Sequence, residues 1–368
     1  MVGKFLKAQI LWKWLGRKTH YAGVGVKRQG YRVLMVTGIY PTERRPHAGT
    51  FIRPVVEALR EQGHTVDLLH PGPAPAPLRY LWAALLVFLK TLGGRYDIVH
   101  GHYGLWCLAA RLQWRAAVVS AFLGDDLLGT ITSNGNYSKK SLLVVRISRW
   151  LCRVSDAATV KSEQMRQAAD CASVVVIPDG IDFTHFYPLP RDQMRALLGW
   201  DQNTYYVLFA NNPAIPVKNV ALARSALQQL AIRGINAELI VMYGQPQEQV
   251  MRAMNASNVL ILTSLAEGAP NVVKEAMACN IPVVATNVGD VAQVLGQTAG
   301  CFVCSHNPGE LVEALEDALR YTEPTTGRRD SAHLASTVVV ERVLELYCQA
   351  LEHKRSPQKP RLRKRLAL

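Results

Sequence analysis

EGAPNVVKEAMACNIPVVATNVGD, which spans residues 267–290, is the stretch of sequence that decides the fold. Apolar runs of strand length lie on both sides of its helix pattern, at residues 258–263 and 281–286. A helix between two such runs indicates a βαβ crossover that joins parallel strands. Pro270 suits the first turn of the helix, and Asn280 can adopt the left-handed backbone that ends it, about ten residues later. The loop before the helix therefore lies at the carboxyl end of a strand, where open α/β sheets bind ligands.

Two carboxylates flank the amino end of this helix. Glu267 precedes the helix, and Glu275 lies within it on the same face as Asn271. The free N–H groups and the positive dipole end of a helix suit an anionic group, and carboxylates accept hydrogen bonds from hydroxyls. The element can therefore hold a ligand that is part sugar and part phosphate. Taken alone, the two acids are also typical of a solvent-facing helix and loop.

The stretch resembles the Glu-x7-Glu element of glycosyltransferase family 4, which comprises retaining enzymes of the GT-B fold. The spacing of the two acids, the glycine, the proline and the strand that follows all match. The resemblance implies that Glu275 holds the ribose hydroxyls of a donor nucleotide and that Glu267 acts on the donor sugar. It also implies a set of donor-binding residues at the start of the helix, which are Gly268, Ala269, Pro270, Asn271 and Val272.

A lysine in another loop is the next candidate. Residues 205–210 form an apolar strand that leads into NNPAIPVKN, and a helix pattern follows. Lys218, just before that helix, is placed to neutralise a diphosphate, although a lone loop lysine is usually only solvated. The resemblance implies that Lys218 offsets charge on a leaving diphosphate. The arginine that commonly precedes this lysine in the family is absent, and Asn211 and Asn212 lie in its neighbourhood; we assign Asn212 to the donor site.

The first half of the chain begins in the same way. Residues 31–37 form a strand, a loop rich in glycine and proline follows, and residues 52–62 form an amphipathic helix, which is typical of a Rossmann-like unit. Gly49 in that loop either lets the backbone approach an acceptor or a diphosphate, or is only a turn glycine. The resemblance places it in the glycine loop of the acceptor domain. His100 and His102 share one side of a later strand, and the resemblance assigns His102 to the acceptor side.

The segment 117–126 departs from the family. Many relatives have a histidine that contacts the donor sugar at the position of Leu123, and leucine cannot form a hydrogen bond with a sugar hydroxyl. Asp125 or Asp126 can replace that polar contact, and Asp126 matches the family's aspartate. We therefore predict a catalytic role for Asp126, with capping of the following turn as the alternative.

The net charge of +14 on 368 residues is unevenly distributed. Residues 1–30 and 354–368 each contain seven Lys or Arg and no acid, and residues 31–190 also carry a surplus of bases. This distribution predicts contact with an anionic surface, and the inner leaflet of a bacterial membrane is a candidate. No helix-turn-helix, zinc-finger or aromatic RNA-binding signature is present, so nucleic acid is not expected as a partner.

Two apolar segments bear on membrane association. Residues 1–30 form either a basic amphipathic interfacial helix or an unstructured extension. The run from Leu78 to Leu92 is too short to span a bilayer, so it is either a core helix or a membrane-docking helix. The seven scattered cysteines imply no disulfide framework, and the C-x-x-C pair Cys301 and Cys304 is expected to consist of ordinary strand residues.

These observations predict two Rossmann-like domains facing across a cleft, the GT-B arrangement. We expect a basic extension over residues 1–30, an acceptor-side domain over 31–185, a nucleotide-sugar domain over 186–350 and a basic tail over 351–368. The PDGID sequence at residues 178–182 resembles the family's domain junction and is interpreted as a hinge. The final helix pattern is expected to cross back to the first domain.

The predicted function is transfer of a sugar, with retention, from a nucleotide-diphosphate sugar to an acceptor hydroxyl. UDP and GDP are both compatible with the sequence. No metal and no other cofactor is expected, and no side chain stands out as a covalent nucleophile. A lipid-linked glycan in surface or exopolysaccharide assembly is the expected acceptor, and the expected location is cytoplasmic, at the inner face of the membrane. The alternatives are a nucleotide-sugar-binding scaffold without catalysis and a sugar-nucleotide epimerase.

Overall fold

The computed structural model describes residues 30–43, 45–71, 75, 78–130 and 137–355. The expected extension over residues 1–29 and the tail from residue 356 onward lie outside this range. Within it, two parallel β-sheets follow one another along the chain, each covered by helices. The predicted fold class, two Rossmann-like α/β domains, is confirmed.

The first sheet has the strand order β2-β1-β3-β4-β5-β6, and all its strand pairs are parallel. Its buried strands are short apolar runs, as expected for a sheet covered on both faces. The strands are β1 Arg32–Val36, β2 Thr65–Leu69, β3 Ile98–His102, β4 Ala117–Ala121, β5 Ala157–Val160 and β6 Val175–Val176. The helices between them are α1 Ile52–Glu61, α2 Leu78–Thr91, α3 Gly104–Arg111, α4 Asp125–Leu128, α5 Lys139–Val154 and α6 Glu163–Ala169.

The second sheet has the order β11-β10-β9-β7-β8 and is also parallel throughout. Its strands are β7 Tyr205–Phe209, β8 Ala237–Val241, β9 Val259–Leu262, β10 Val283–Thr286 and β11 Cys301–Cys304. The helices are α7 Arg191–Leu198, α8 Val220–Ile232, α9 Gln247–Ala256, α10 Asn271–Ala278, α11 Val291–Leu295, α12 Pro308–Arg320, α13 Gly327–Asp330 and α14 Ser336–Arg355. Short 3-10 turns lie at Pro216–Lys218 and Ala332–Leu334.

The stretch 267–290 forms the predicted crossover. Strands β9 and β10 pair in parallel, with Leu260 opposite Val283, and α10 joins them. The buried face of α10 is Val273, Ala276 and Met277, each with no exposed surface. Full burial of such a side chain contributes about 2 kcal/mol, so this face is sufficient to fix the helix on the sheet. Asn280 has a φ of +58° and ends the helix in the left-handed conformation, as predicted.

The final helix returns to the first domain. Apolar side chains of α14, among them Val340 and Tyr347, pack with Val33 and Ile98 on one face of the first sheet. The predicted crossing back is therefore confirmed. The helix continues to Arg355, so the first residues of the expected tail are helical.

The junction segment is tied to the start of this final helix. The N–H of Ile181 donates to the carbonyl of Leu334 at 2.8 Å, and the N–H of Ser336 donates to the carbonyl of Ile181 at 2.9 Å. A Cβ on Gly180 would lie 2.8 Å from the Cα of Ser336, so only glycine permits this approach. Both chain crossings between the domains are thus held together at one point.

Candidate active site

A cavity of about 700 Å³ lies where loops from the carboxyl ends of both sheets meet. The first domain contributes loops that follow β1, β3 and β4, and the second contributes loops that follow β7 and β9. This is where the topology of open α/β sheets places ligands, and the volume is typical of small-molecule sites. Six of the residues predicted from the sequence lie in its wall: His102, Lys218, Glu267, Gly268, Ala269 and Asn271.

Lys218 and Glu267 form an ion pair in the wall of the cavity. The Nζ of Lys218 lies 2.5 Å from Oε1 of Glu267, and the hydroxyl of Ser264 donates to the same oxygen at 2.7 Å. The two charged side chains retain 20% and 12% of their exposure. A partly buried pair of this kind is screened less by solvent than a surface pair. The positive charge of Lys218 is therefore held at a fixed position in the cavity wall.

The backbone around Lys218 is also fixed. The hydroxyl of Thr263 donates to the carbonyls of Lys218 and Asn219, at 3.1 and 2.9 Å. Asn219 has a φ of +52°, and α8 begins immediately after it. Because Thr263 directly follows β9, the backbone of the lysine is anchored at the end of a strand of the second sheet.

Gly268 brings the two domains into direct contact. A Cβ at this position would lie 2.5 Å from the carbonyl oxygen of Leu123 and 3.0 Å from the Cα of Gly124. A side chain on Gly289, whose φ is +59°, would in turn lie 2.8 Å from the carbonyl of Gly268. Backbone therefore packs on backbone at this end of the cavity, and glycine is required for the approach.

A buried ion pair supports the amino end of α10 from the first domain. Lys161 and Asp179 are 2.8 Å apart, and each side chain is only 8% exposed. The amide of Asn271 lies 3.5 Å from the other carboxylate oxygen of Asp179. The junction motif was interpreted as a hinge, but the structure also places Asp179 in the cavity wall and next to α10.

Glu275 lies one turn beyond Asn271 and lines a smaller recess next to the main cavity. Phe51 and Asn271 line both spaces. Burial raises the pKa of Glu275 to about 7, and the charge of the neighbouring Lys274 opposes this increase. The carboxyl of Glu275 is therefore close to half ionised near neutral pH.

The lysine beside Glu275 is a structural residue. Lys274 is fully buried, and its Nζ lies 2.9 Å from Asp290 in the turn before α11. Breaking a buried pair of this kind by removing one partner typically costs about 3–5 kcal/mol. This pair ties α10 to the turn that contains Gly289.

His102 lies in the part of the cavity wall that the first domain contributes. It is 5% exposed, and its ring stacks on His100 with centroids 4.3 Å apart. Burial and the charge of Lys161 lower the pKa of His102 to about 3, so the ring is neutral. Neither ring nitrogen has a hydrogen-bond partner among the described residues. His100, by contrast, bonds to the hydroxyl of Tyr347 at 2.8 Å.

Comparison with known proteins bears on what this cavity does. Residues 217–321 match the family model described as glycosyl transferases group 1, and residues 15–180 match the glycosyl transferase 4-like domain. The D-inositol 3-phosphate glycosyltransferase of Paenarthrobacter aurescens is 25% identical over 358 positions, which cover 78% of this chain and 87% of that protein. This chain belongs to glycosyltransferase family 4.

Solved structures of glycosyltransferases have the same fold. Sucrose-phosphate synthase from Thermosynechococcus elongatus superposes with a TM-score of 0.69 at 17% identity, covering 88% of this chain and 99% of that one. Anabaena HepE, solved in complex with UDP and glucose, gives a TM-score of 0.62 at 18% identity over 86% of this chain and 98% of that one. At such identities the likeness establishes the fold alone.

The glycosyltransferase uses Asp126 differently from the catalytic role predicted. Asp126 has no exposed surface and accepts hydrogen bonds from the N–H groups of Leu123, Gly124 and Gly104, at 3.0, 2.9 and 3.0 Å. Burial raises its pKa to about 6, although these N–H groups oppose the increase. The carboxylate therefore shapes the preceding loop at Leu123 and Gly124, which Gly268 contacts, and it does not cap the helix that follows.

Four other predicted residues lie outside the cavity wall. The side chain of Val272 packs on the apolar core of the second domain, because its position on α10 faces the sheet. The side-chain oxygen of Asn212 accepts from the N–H of Ala214 at 3.0 Å and shapes its own loop. Gly49 has a φ of +67°, and its Cβ would lie 2.6 Å from the carbonyl of Ile39. It therefore permits a tight turn that brings Phe51 to the cavity. Pro270 precedes α10 and is buried.

The glycosyltransferase also has cavity residues that the sequence did not indicate. Arg79 and Tyr80 of α2 and Trp106 of α3 line the first-domain side of the cavity, and the guanidinium of Arg79 lies 4.8 Å from the centroid of the Tyr80 ring. Tyr103 has a φ of +76°, an uncommon backbone for a bulky residue that often marks a functional site. Arg79, Tyr80 and Trp106 lie in apolar helices that carry no motif, and Tyr103 directly precedes α3, so only their positions in the fold reveal them.

Metal-binding clusters and membrane-spanning helices are both absent from the described residues. Within them, no group of three or more His, Cys, Asp or Glu side chains is arranged to hold a metal ion. No helix in this part of the chain is long and apolar enough to cross a membrane.

Proposed function

We propose that this glycosyltransferase moves a sugar from a nucleotide-diphosphate sugar to an acceptor hydroxyl, with retention at the anomeric carbon and without a metal or other cofactor. The observation that supports this most directly is the ion pair of Lys218 and Glu267 in the cavity wall, next to the amino end of α10. A diphosphate attracts the lysine and the free N–H groups of the helix, while the released carboxylate can bind sugar hydroxyls.

The proposed donor roles follow from this arrangement. Lys218 stabilises the negative charge that develops on the leaving diphosphate as the sugar acquires oxocarbenium character. Glu267 and the backbone of residues 268–271 hold the donor sugar. Glu275, one turn further along α10, accepts hydrogen bonds from the ribose hydroxyls. Donor binding would exchange the Lys218–Glu267 contact for two contacts with the ligand.

The first-domain side of the cavity supports a hydroxyl acceptor that carries an anionic group. His102 is neutral and has unpartnered ring nitrogens, so it can accept or donate a hydrogen bond at a sugar hydroxyl. The Nε of Arg79 is buried without a partner among the described residues. Arg79 can therefore bind a phosphate group in a directed way.

We further propose that the acceptor is a lipid-linked glycan of surface or exopolysaccharide assembly and that the enzyme works peripherally at the cytoplasmic face of an anionic membrane. The unpartnered Nε of Arg79 supports a phosphate-bearing acceptor. The basic surplus of both termini, with seven Lys or Arg each and no acid, supports an anionic surface.

A second candidate function is donor binding without transfer. Leu123 favours it, because this apolar side chain lines the cavity where a sugar-contacting polar group is expected. A sugar-nucleotide epimerase is a third possibility. It would convert the donor sugar with no acceptor present.

The deciding experiment is a donor screen followed by transfer. UDP- and GDP-hexoses are first ranked by the increase in Tm that they cause; saturation to about 100 times Kd stabilises the folded state by about 2.7 kcal/mol. The best donor is then incubated with bacterial membrane extract, and the products are weighed by mass spectrometry. We expect acceptor-dependent release of nucleoside diphosphate and a lipid species heavier by one sugar. Stabilisation without any transfer would establish the binding-protein alternative, and donor conversion without extract would establish the epimerase.

The pH dependence of donor affinity tests the role of Glu275. A carboxylate accepts hydrogen bonds from ribose hydroxyls only when it is ionised, and the pKa of Glu275 is raised to about 7 by burial. Affinity for an intact nucleotide sugar, whose phosphates are fully ionised throughout, should therefore increase about tenfold between about pH 6 and about pH 8. Isothermal titration calorimetry at several pH values measures this change.

The stability of the folded protein changes with pH in the direction opposite to donor affinity. When folding raises the pKa of a carboxyl, the folded protein becomes less stable as the pH rises. For Glu275 this loss occurs between the unfolded pKa of about 4.3 and the folded pKa of about 7. The Glu275→Gln variant should thus bind donor with no pH slope, yet be no less stable than the parent above neutral pH. The control Glu313→Gln changes an exposed residue of α12 and should retain the pH dependence of donor affinity. A flat profile in the unmodified enzyme would exclude ionised Glu275 from donor recognition.

A further inference from the structure

We infer that helices α2, α3 and α5, which form one helical layer on the first sheet, are a docking surface for an anionic lipid bilayer. This inference rests on the proposed function in one respect, since it explains how a lipid-linked acceptor reaches the cavity. The layer is continuous: α3 packs against α2 on one side and α5 on the other. Its apolar faces cover the side of the sheet that contains Val118.

The charged residues of this layer all have the same sign. The three helices contain eight Lys or Arg residues and no Asp or Glu. On the opposite face of the same sheet, α1 and α14 contain five bases and five acids. Both layers cover the same sheet, so the fold itself does not require this difference. A surface of bases without acids is complementary to anionic headgroups.

The outer face of α2 is apolar, whereas the solvent-facing side of a surface helix is normally polar. Its inner face is formed by Ala83, Val87 and Thr91. Its outer stripe follows helical spacing at i, i+3, i+4, i+7 and i+11, with exposed fractions of 61%, 64%, 53%, 45% and 52% at Leu78, Leu81, Trp82, Leu85 and Leu89. Of the two sequence interpretations of this segment, a core helix and a membrane-docking helix, the outer stripe favours the second.

Exposed indoles accompany the bases along the layer. Trp82 on α2, Trp114 after α3 and Trp150 on α5 are 53%, 61% and 49% exposed. Tryptophan is enriched at the headgroup level of membranes, because its ring is apolar and its N–H is polar. On α5, Leu142 and Leu143 are also exposed. Surfaces that bind nucleic acid are more polar than this, so the combination favours lipid.

Several bases of the layer are available for headgroups. Lys139, Lys140 and Arg146 on α5 are exposed and have no carboxylate partner among the described residues. Arg153 is different, since it pairs with Asp170 at 2.9 Å. The layer also borders the cavity: Arg79 and Trp106, which line its first-domain side, belong to α2 and α3. A lipid-linked acceptor in the bilayer would thus reach the cavity from the edge of the docking surface.

Vesicle co-sedimentation of the full chain tests the inference. We expect binding to vesicles with about a third anionic lipid, much weaker binding to purely zwitterionic vesicles, and a decrease as salt screens the surface. The apolar variant Leu81→Glu/Leu85→Glu should lose at least tenfold in affinity. The charge variant Lys139→Gln/Lys140→Gln/Arg146→Gln should lose on the order of 100-fold, because each base near an anionic surface contributes roughly fivefold.

Matched controls lie on the second domain. Ile232→Glu and Arg224→Gln change residues that are exposed on α8 and should leave vesicle binding unchanged. All variants change exposed residues, so their Tm should stay close to that of the parent. Unchanged vesicle binding in both layer variants would overturn the inference. So would loss of binding only when residues 1–29 or 356–368 are removed, or binding to duplex DNA at the same salt in place of vesicles.

A transfer assay separates this inference from the proposed function. The layer variants should transfer sugar to a short acceptor without lipid at the parental rate, but lose transfer to the same acceptor in anionic vesicles. If the layer variants lose vesicle binding but neither they nor the parent enzyme transfer sugar, the docking surface stands and the proposed function fails. If transfer to vesicle-bound acceptor survives in both variants, the docking surface fails and the proposed function stands.

Discussion

Lys218→Met should lower kcat/KM for sugar transfer by about 100- to 1,000-fold while leaving the fold intact. A preorganised charge directed at the developing charge of a transition state typically contributes about 3–4 kcal/mol. Lys218 meets the structural requirement, because Thr263 fixes its backbone and Glu267 holds its Nζ at 2.5 Å. Methionine keeps most of the length of the side chain and removes the charge together with its N–H donors. Steady-state kinetics with the identified donor measure the effect, and Tm checks the fold.

A related prediction concerns Glu267, the ion-pair partner of Lys218. Glu267→Gln should also lower transfer by about 100-fold, and the double variant should be little worse than the poorer single variant. Residues that act as a unit are strongly non-additive, and these two side chains touch in the empty site. Arg224→Met, a loss of one exposed charge on α8, serves as the matched control. Additive losses, or a Lys218→Met enzyme with more than half of the parental rate, would refute the paired role.

Gly268→Ala should reduce kcat by about 100-fold, although it adds a single methyl group. The new Cβ would lie 2.5 Å from the carbonyl oxygen of Leu123 and 3.2 Å from the sulfur of Met165, so the two domains must separate locally. A displacement of about 1 Å between reacting groups can cost about 100-fold in rate, and overpacking costs about 1–3 kcal/mol of stability. Kinetics and thermal unfolding of the same preparation measure both quantities.

Gly93→Ala is the matched control for this change. The nearest atom to its new Cβ would be Cγ of Arg95 at 3.9 Å, and Gly93 is exposed, so neither rate nor Tm should change by a measurable amount. Activity of Gly268→Ala within threefold of the parent would show that the contact between residue 268 and the loop at Leu123 is not part of the catalytic arrangement.

Local patterns predicted the architecture well, because they depend on neighbouring residues. The crossover at 267–290 follows from two apolar runs and a helix-length interval, and the structure pairs β9 and β10 in parallel around α10. Ser162 directly precedes α6 and caps it, since its hydroxyl accepts the N–H of Met165 at 3.4 Å. Such features need no information from distant parts of the chain.

Side-chain roles were less predictable, because they depend on which way a loop turns. Asp126 matched a family aspartate, yet three backbone N–H groups of its own surroundings bind its carboxylate and no exposed surface remains. Val272 stands in the donor motif but faces the second core. Arg79 and Trp106 occupy unremarkable positions in apolar helices, and only the packing of α2 against α3 brings them to the cavity.

For the whole α2 helix, too, the sequence did not decide which side chains are covered. Its apolar composition is compatible with a core helix or a docking helix, since hydrophobicity does not specify what covers a residue. The fold covers Ala83 and Val87 and leaves Leu81 and Leu85 exposed.

The sequence by itself determined two parallel α/β domains, the family, and the charges at Lys218 and Glu267, because spacing and periodicity are local and the motif is specific. Only the tertiary structure decided that these two charges touch, that Gly268 meets Leu123 across the cleft, and that Asp179 supports α10 from the other domain. The physical reason is distance along the chain: 49 residues separate the paired charges and 92 separate Asn271 from Asp179. Contacts over such separations exist only after both sheets have formed and packed.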